Sequence, residues 1–164
     1  MVDVFDRRTR SRVMAAIRSK DTSPERTVRS FLHRKGFRFR LHVRHLAGCP
    51  DIVLTRHRVA LFVHGCFWHQ HSRCQLAAVP GSNADFWKKK LDRNRIRDEE
   101  QIALLRQQGW RVGIFWECAA RKGVVDAKTL LALVAWLRQS SGYMEFPRVP
   151  LRPRRTSYRR ARMR

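Results

Sequence analysis

Apolar and polar positions alternate, cluster and break along this chain in an order that predicts a mixed α/β fold. Residues 6–18 suit a short basic helix. Thr22-Ser23-Pro24-Glu25 reads as a helix start, with a capping hydroxyl, Pro in the first turn and Glu at capping-box spacing. That helix should run to Lys35 and stop at Gly36. Phe37-Arg38-Phe39-Arg40-Leu41 alternates apolar and basic, as an amphipathic strand does. Residues 51–55 (DIVLT) and 59–64 (VALFVH) are apolar runs around the polar turn RHR, a pattern for a buried hairpin. An irregular stretch over 65–84 precedes a helix over 86–108 that ends at Gly109. WRVGIFW, residues 110–116, reads as another buried strand, and residues 126–139 as a closing amphipathic helix.

Composition changes the picture at the end of the chain. Residues 147–164 hold eight Arg, three Pro and no acid, too little apolar surface to pack a core. The expected organisation is one domain over 1–146 and a disordered Arg-rich tail over 147–164. At 164 residues the chain has the length of about one domain, roughly 100–200 residues. No apolar run reaches the ~18–20 residues of a membrane helix, and the charged start MVDVFDRRTR lacks a signal-type apolar core. The expectation is a cytoplasmic protein without a membrane partner, treated as a monomer.

Charge narrows the partner. Thirty-six basic residues against 13 acidic give +23, and the tail accounts for only eight of these charges. A surplus of this size points to a polyanion, because neutralising phosphates releases counterions. Nucleic acid fits better than an anionic membrane surface, since no basic amphipathic helix stands out.

Candidate chemistry concentrates in His64-Gly65-Cys66-Phe67-Trp68-His69-Gln70-His71-Ser72-Arg73-Cys74. So many ligating groups would need partners if buried. Cys66, His71 and Cys74 are spaced to fold around one ion, and zinc takes four thiolate or imidazole ligands in a closed structural site. Cys118, just past the strand ending at Trp116, is the candidate fourth ligand. Cys49 could instead replace His71, or be an ordinary small residue. Asp51 opens an apolar strand after Pro50, where many metal-dependent nucleases place an acid, although the next strand lacks the usual acid and Lys. A turn-capping Asp is the plain alternative. His64 and His69 are free for acid–base work once zinc has taken His71. Asn94 and Asp98 share one helix face, Lys88, Lys89 and Lys90 can meet phosphates, and Trp87 is either core or an aromatic wedge between bases.

Together these residues resemble the very-short-patch-repair (Vsr) DNA mismatch endonuclease family. The matching stretches are Arg12-Val13-Met14, Lys20-Asp21-Thr22-Ser23-Pro24-Glu25, Gly36-Phe37-Arg38-Phe39-Arg40, Pro50-Asp51-Ile52-Val53, Phe62-Val63-His64-Gly65-Cys66-Phe67-Trp68-His69, Phe86-Trp87, Asn94 with Arg97-Asp98, Gly109-Trp110-Arg111-Val112 and Trp116-Glu117-Cys118. The resemblance spans about residues 5–141 and implies a restriction-endonuclease-like mixed central sheet flanked by helices. It implies Mg²⁺-dependent nicking of duplex DNA 5′ to the T of a T:G mismatch left by 5-methylcytosine deamination, the start of very short patch repair.

By that resemblance Asp51 and the Val63 carbonyl hold Mg²⁺, His69 is the general base, Asp98 orients it, and His64 with Glu25 completes the polar site. Cys66, His71, Cys74 and Cys118 bind structural zinc. Phe67, Trp68, Trp87 and Met14 form the intercalating wedge, with Lys88, Lys89 and Asn94 as DNA contacts. Mismatch-repair proteins are candidate partners. Cys49 stands where family members often carry a basic residue. Two rival readings use much of the same pattern: a zinc-stabilised DNA-binding module without catalysis, and a restriction-type endonuclease acting on matched DNA. A catalytic zinc would need an open coordination position, against which four available ligands argue.

Overall fold

The computed structural model describes residue 8 and residues 20–121, 124–139 and 142–147. Met14, the tail beyond Pro147 and, apart from Arg8, the helix expected over 6–18 lie outside the described residues.

Helix α1 spans Ser23–Arg34 and begins with the capping box read from the sequence: Thr22 accepts from the Glu25 N–H, and the Glu25 carboxylate accepts from the Thr22 N–H. Gly36, at φ +83°, follows its last turn, and the Phe37 N–H bonds back to the Leu32 carbonyl. This closure is why the alternating 37–41 stretch is not one strand. Phe37 is drawn under the helix end, and only Arg40–Leu41 (β1) pairs, with Val53 and Ile52.

Strands β2 (Ile52–Leu54) and β3 (Val59–His64) form the expected antiparallel hairpin, with Ile52 opposite Leu61. Arg58 closes its turn in the left-handed region at φ +48°. Helix α2 spans Ala84–Gln107 and leads into β4 (Arg111–Trp116), which lies parallel to β3. After the short antiparallel pair β5 (Ala120–Arg121) and β6 (Val124–Val125), helix α3 (Ala127–Arg138) starts on an Asp126 cap that accepts from the Thr129 N–H at 2.8 Å. Strand β7 (Tyr143–Phe146), not expected from the sequence, joins the sheet parallel to β4.

The main sheet runs β1-β2-β3-β4-β7 and is mixed. The inner strands β2, β3 and β4 are buried on both faces, so they read as continuous apolar runs, whereas the edge strands β1 and β7 are partly exposed. Ile52, Leu54, Val59, Leu61 and Phe115 pack with Val28 and Leu32 of α1 and Leu133, Trp136 and Leu137 of α3. Val53, Ala60, Phe62, Val112, Ile114 and Trp116 face the other way, with Leu105 of α2, Cys66 and Cys118. The period-2 alternation therefore sends His64 to the α2 side, where the loop after β3 also lies. No described helix is long and apolar enough to cross a membrane.

Candidate active site and metal centre

A cleft of about 1040 Å³ opens where α1, the start of β2, the end of β3 and the middle of α2 converge. Glu25, His42, Asp51, Val63, His64, Trp68, His69, Asn94, Arg97 and Asp98 line it, with Lys20 and Arg44 adding positive charge. Asp51 Oδ2 accepts a 2.7 Å hydrogen bond from the Val63 N–H, which locks the carboxyl against the adjacent strand. Burial pushes its pKa up to about 6; the Val63 N–H opposes that rise and the nearby Glu25 carboxylate adds to it. A carboxyl so placed stands to gain from a cation beside it.

Glu25 is almost wholly buried. Its oxygens accept from the Asp21 N–H at 3.1 Å, the Thr22 hydroxyl at 2.9 Å and Arg29 Nη2 at 2.6 Å. Glu25 lies in the cleft as expected but bonds within its own helix start and to Arg29; no hydrogen bond joins it to His64 among the described residues. His64 instead stacks on His69, ring centroids 3.7 Å apart and 10° from parallel. Burial, and then the His69 and Arg97 charges, hold the His64 pKa well below its ordinary value, so the ring is neutral.

His69 Nδ1 lies 2.5 Å from Asp98 Oδ2. That leaves Nε2 as the nitrogen available to other chemistry, and a carboxylate on Nδ1 fixes ring orientation and favours this tautomer. One turn earlier on α2, Asn94 Nδ2 donates to the Trp68 carbonyl at 3.1 Å. The shared face of Asn94 and Asp98 therefore pins the 65–69 loop at two successive residues.

Cys66, His71, Cys74 and Cys118 bring one sulfur or nitrogen each to within 4.8 Å of one another. His71 Nδ1 is 3.5 Å from both Cys66 Sγ and Cys118 Sγ, and the ring stacks on Trp116 at 4.2 Å. None of the four cysteines is in a disulfide. Thiol ligands about 2.3 Å from a tetrahedral zinc would be crowded to a comparable degree, so the donor set and its spread fit that ion. The Cys66 pKa is pushed up, first by its hydrogen bond with Cys118 and then by burial; the Cys74 pKa rises through burial. Cys49 lies apart, half-buried in the cleft wall at φ +50°.

The aromatic residues form a separate group at the start of α2. Phe67 meets Trp68 and Trp87 edge-on at 5.0 and 5.3 Å, and Phe86 meets Trp87 at 5.3 Å. Trp87 is 8% exposed and Phe86 58%, so the ring anticipated as a wedge is largely covered and its neighbour is the outward one. Lys90, read from the sequence with Lys88 and Lys89 as a phosphate contact, places its ammonium 5.3–5.7 Å from the Trp68, Trp87 and Phe86 rings. Lys88 and Lys89 are exposed.

Arg29 and His42 escaped the sequence reading. Arg29 bonds Asp21 and Glu25 and lies against His42, which faces Asp51. Only the non-glycine φ of +47° at His42 marks it, and that is invisible before folding.

The fold and cleft define an α/β protein whose basic-rimmed polar site gathers the carboxylates of Glu25, Asp51 and Asp98 and the imidazoles of His42, His64 and His69 beside a three-cysteine, one-histidine cluster. A family model described as DNA mismatch endonuclease Vsr matches residues 2–76. The chain is 45% identical over 139 residues to the DNA mismatch endonuclease Vsr of Escherichia coli K12, covering 84% of this chain and 88% of that protein. It is 48% identical over 118 residues to the type II nicking enzyme V.XorIIP of Xanthomonas oryzae pv. oryzae, covering 72% and 86%. It is 39% identical over 140 residues to the type II nicking enzyme V.NmeAIP of Neisseria meningitidis, covering 85% and 99%. The chain belongs to the Vsr DNA mismatch endonuclease family.

Proposed function

We propose that this protein is a DNA endonuclease that nicks one strand of duplex DNA 5′ to the T of a T:G mismatch, with Mg²⁺, and so starts very short patch repair. The observation that carries this reading is the convergence of Asp51 and the His69–Asp98 pair in one cleft of a chain of this family.

Asp51, with the Val63 carbonyl beside it, would hold Mg²⁺; the raised carboxyl pKa and its isolation from basic side-chain hydrogen bonds fit that use. The ion supplies charge neutralisation at the scissile phosphate and a site for the attacking water. His69 takes the water's proton at Nε2, and Asp98 holds the ring and favours the imidazolium that forms. His64, neutral and stacked on His69, completes the polar wall with Glu25.

Cys66, His71, Cys74 and Cys118 would bind structural zinc, tying the loop that carries His69 to the segment after β4. Phe67 and Trp68, with Met14 of the N-terminal segment, act as the wedge beside the mismatch, and the covered Trp87 ring braces them from below. The outward Phe86 ring extends their surface. Unstacking costs a few kcal/mol per step and least at a weakened pair, which favours a mismatch. Lys88 and Lys89 meet the DNA backbone, and Asn94 serves the interface by holding Trp68.

The test is cleavage of end-labelled duplexes carrying T:G in several methylase sequence contexts, with matched duplexes and Asp51→Ala protein alongside. The expected product is one Mg²⁺-dependent nick 5′ to the T, absent from both controls. Tight binding without cleavage in every context would overturn this reading in favour of a zinc-stabilised DNA-binding module. Double-strand cuts in matched DNA would favour a restriction-type enzyme.

A further inference from the structure

Arg29, His42 and Asp51, from three separate segments, form a polar chain at one edge of the cleft. Arg29 of α1 points Nη2 at His42 Nε2, 2.9 Å away. His42 Nδ1 lies 3.8 Å from Asp51 Oδ1. The backbone repeats the link, because the His42 N–H is directed at the Asp51 carbonyl at 3.5 Å. His42 holds this place at φ +47°, a conformation costly for a side-chain-bearing residue and maintained where the surroundings over-determine it.

The protonation pattern follows from donor chemistry. A guanidinium only donates. His42 Nε2, 2.9 Å from Arg29 Nη2 and 4.0 Å from the nearest Asp21 and Glu25 oxygens, is within hydrogen-bond reach of the guanidinium alone, and that contact is a hydrogen bond when Nε2 accepts and the ring proton sits on Nδ1. Arg29 is itself fixed by Asp21 and Glu25, so its direction is not free. The proton on Nδ1 faces Asp51 Oδ1 across a gap longer than a hydrogen bond and acts there as an oriented dipole. Asp51 thus has a neighbour at each oxygen: the Val63 N–H bonds Oδ2, and the His42 ring faces Oδ1 at 3.8 Å.

We propose that His42 is a positioning residue for Asp51, with Arg29 selecting the Nδ1–H tautomer that lets it act. The inference rests on the reading of Asp51 as the cation-holding carboxylate. Groups behind a ligating carboxylate commonly tune both its direction and its affinity for the ion.

The first measurement is a long-range ¹H–¹⁵N spectrum of the imidazoles in the full-length, ¹⁵N-labelled, Mg²⁺-free protein, with His42→Asn identifying the signal. The expected result is a neutral His42 protonated on Nδ1, shifting toward Nε2–H in Arg29→Met. An Nε2–H or doubly protonated His42 in the unsubstituted protein overturns the inference, even while nicking depends on Asp51.

The second measurement is the Mg²⁺ concentration for half-maximal nicking, which should rise about 10-fold in His42→Phe with KM for DNA unchanged. His42→Asn places an amide donor near the Nδ1 position and tolerates the left-handed backbone, so it should recover most of the loss. An unchanged Mg²⁺ requirement in folded His42→Phe overturns the positioning role. Nicking that survives Asp51→Ala instead overturns the underlying reading of the cleft, while the tautomer measured in the Mg²⁺-free protein still stands.

Discussion

His69 in the loop after β3 and Asp98 in the middle of α2 meet at 2.5 Å, joining two segments 29 residues apart across the cleft. The contact gives the imidazole one direction and leaves one nitrogen for chemistry. Asp98→Asn keeps the shape but can offer an N–H where the carboxylate stood, favouring the wrong tautomer. Its kcat should fall by about 10²–10⁴, the usual worth of a positioned base, with the DNA dissociation constant within a few-fold of the parent. Single-turnover nicking beside a binding titration checks the split.

Asp51 supplies a stability prediction of opposite sign to its effect on activity. Its folded pKa is about 6 against an ordinary 3.8, so the folded state holds the proton more tightly than the unfolded one. In Mg²⁺-free protein this contribution is fully present below about pH 4, is lost as pH rises to about 6, and stays lost above that. Asp51→Asn removes the buried charge and keeps an acceptor for the Val63 N–H. It should abolish nicking yet stabilise the Mg²⁺-free protein at pH 8 by up to about 3 kcal/mol, at 1.36 kcal/mol per pKa unit. Thermal melts in EDTA at pH 4, 6 and 8 measure this, and the gap between variant and parent should open between the first two.

Purified protein should contain one zinc per chain by elemental analysis. Cys66→Ala should lose it and, with it, several kcal/mol of folding stability, because a structural zinc contributes its binding energy to the fold. A folded, zinc-free and active Cys66→Ala protein would contradict the structural role.

The exposed lysines at the start of α2 predict a salt effect. If Lys88 and Lys89 each neutralise one phosphate, the double Ala variant should flatten the plot of log affinity against log salt by about 2, since each contact contributes a slope near 0.9. Binding titrations over a range of salt, on matched and mismatched duplexes alike, show whether the loss is uniform.

Much of this was legible from the chain. The β2–β3 hairpin, the capping box at Thr22 and Glu25, and the long helix α2 declare themselves by local pattern. The Cys66, His71, Cys74 and Cys118 quartet was foreseeable from chemistry, although its last member comes from beyond β4. Tyr143–Phe146 was not, because a four-residue strand in parallel register with β4 is defined by a distant partner and not by its own sequence. The truncation of β1 had the same origin: the closure of α1 at Gly36 outcompeted the alternating pattern that follows it. In the cleft, groups near a recognisable motif were found, whereas Arg29 and His42 were missed because neither belongs to one.

The first turn of α1 carries a consequence for timing. The oxygens that hold that turn closed are those of Thr22 and of Glu25, the latter on the same carboxyl that lines the cleft beside Asp51. When the helix end frays, Glu25 leaves the site in the same motion, and Arg29 loses an anchor with it. Each fraying of one helix terminus thereby removes a carboxylate from the cleft and each closure returns it. Amide exchange at Glu25 and Arg26 should report how often the cleft is assembled.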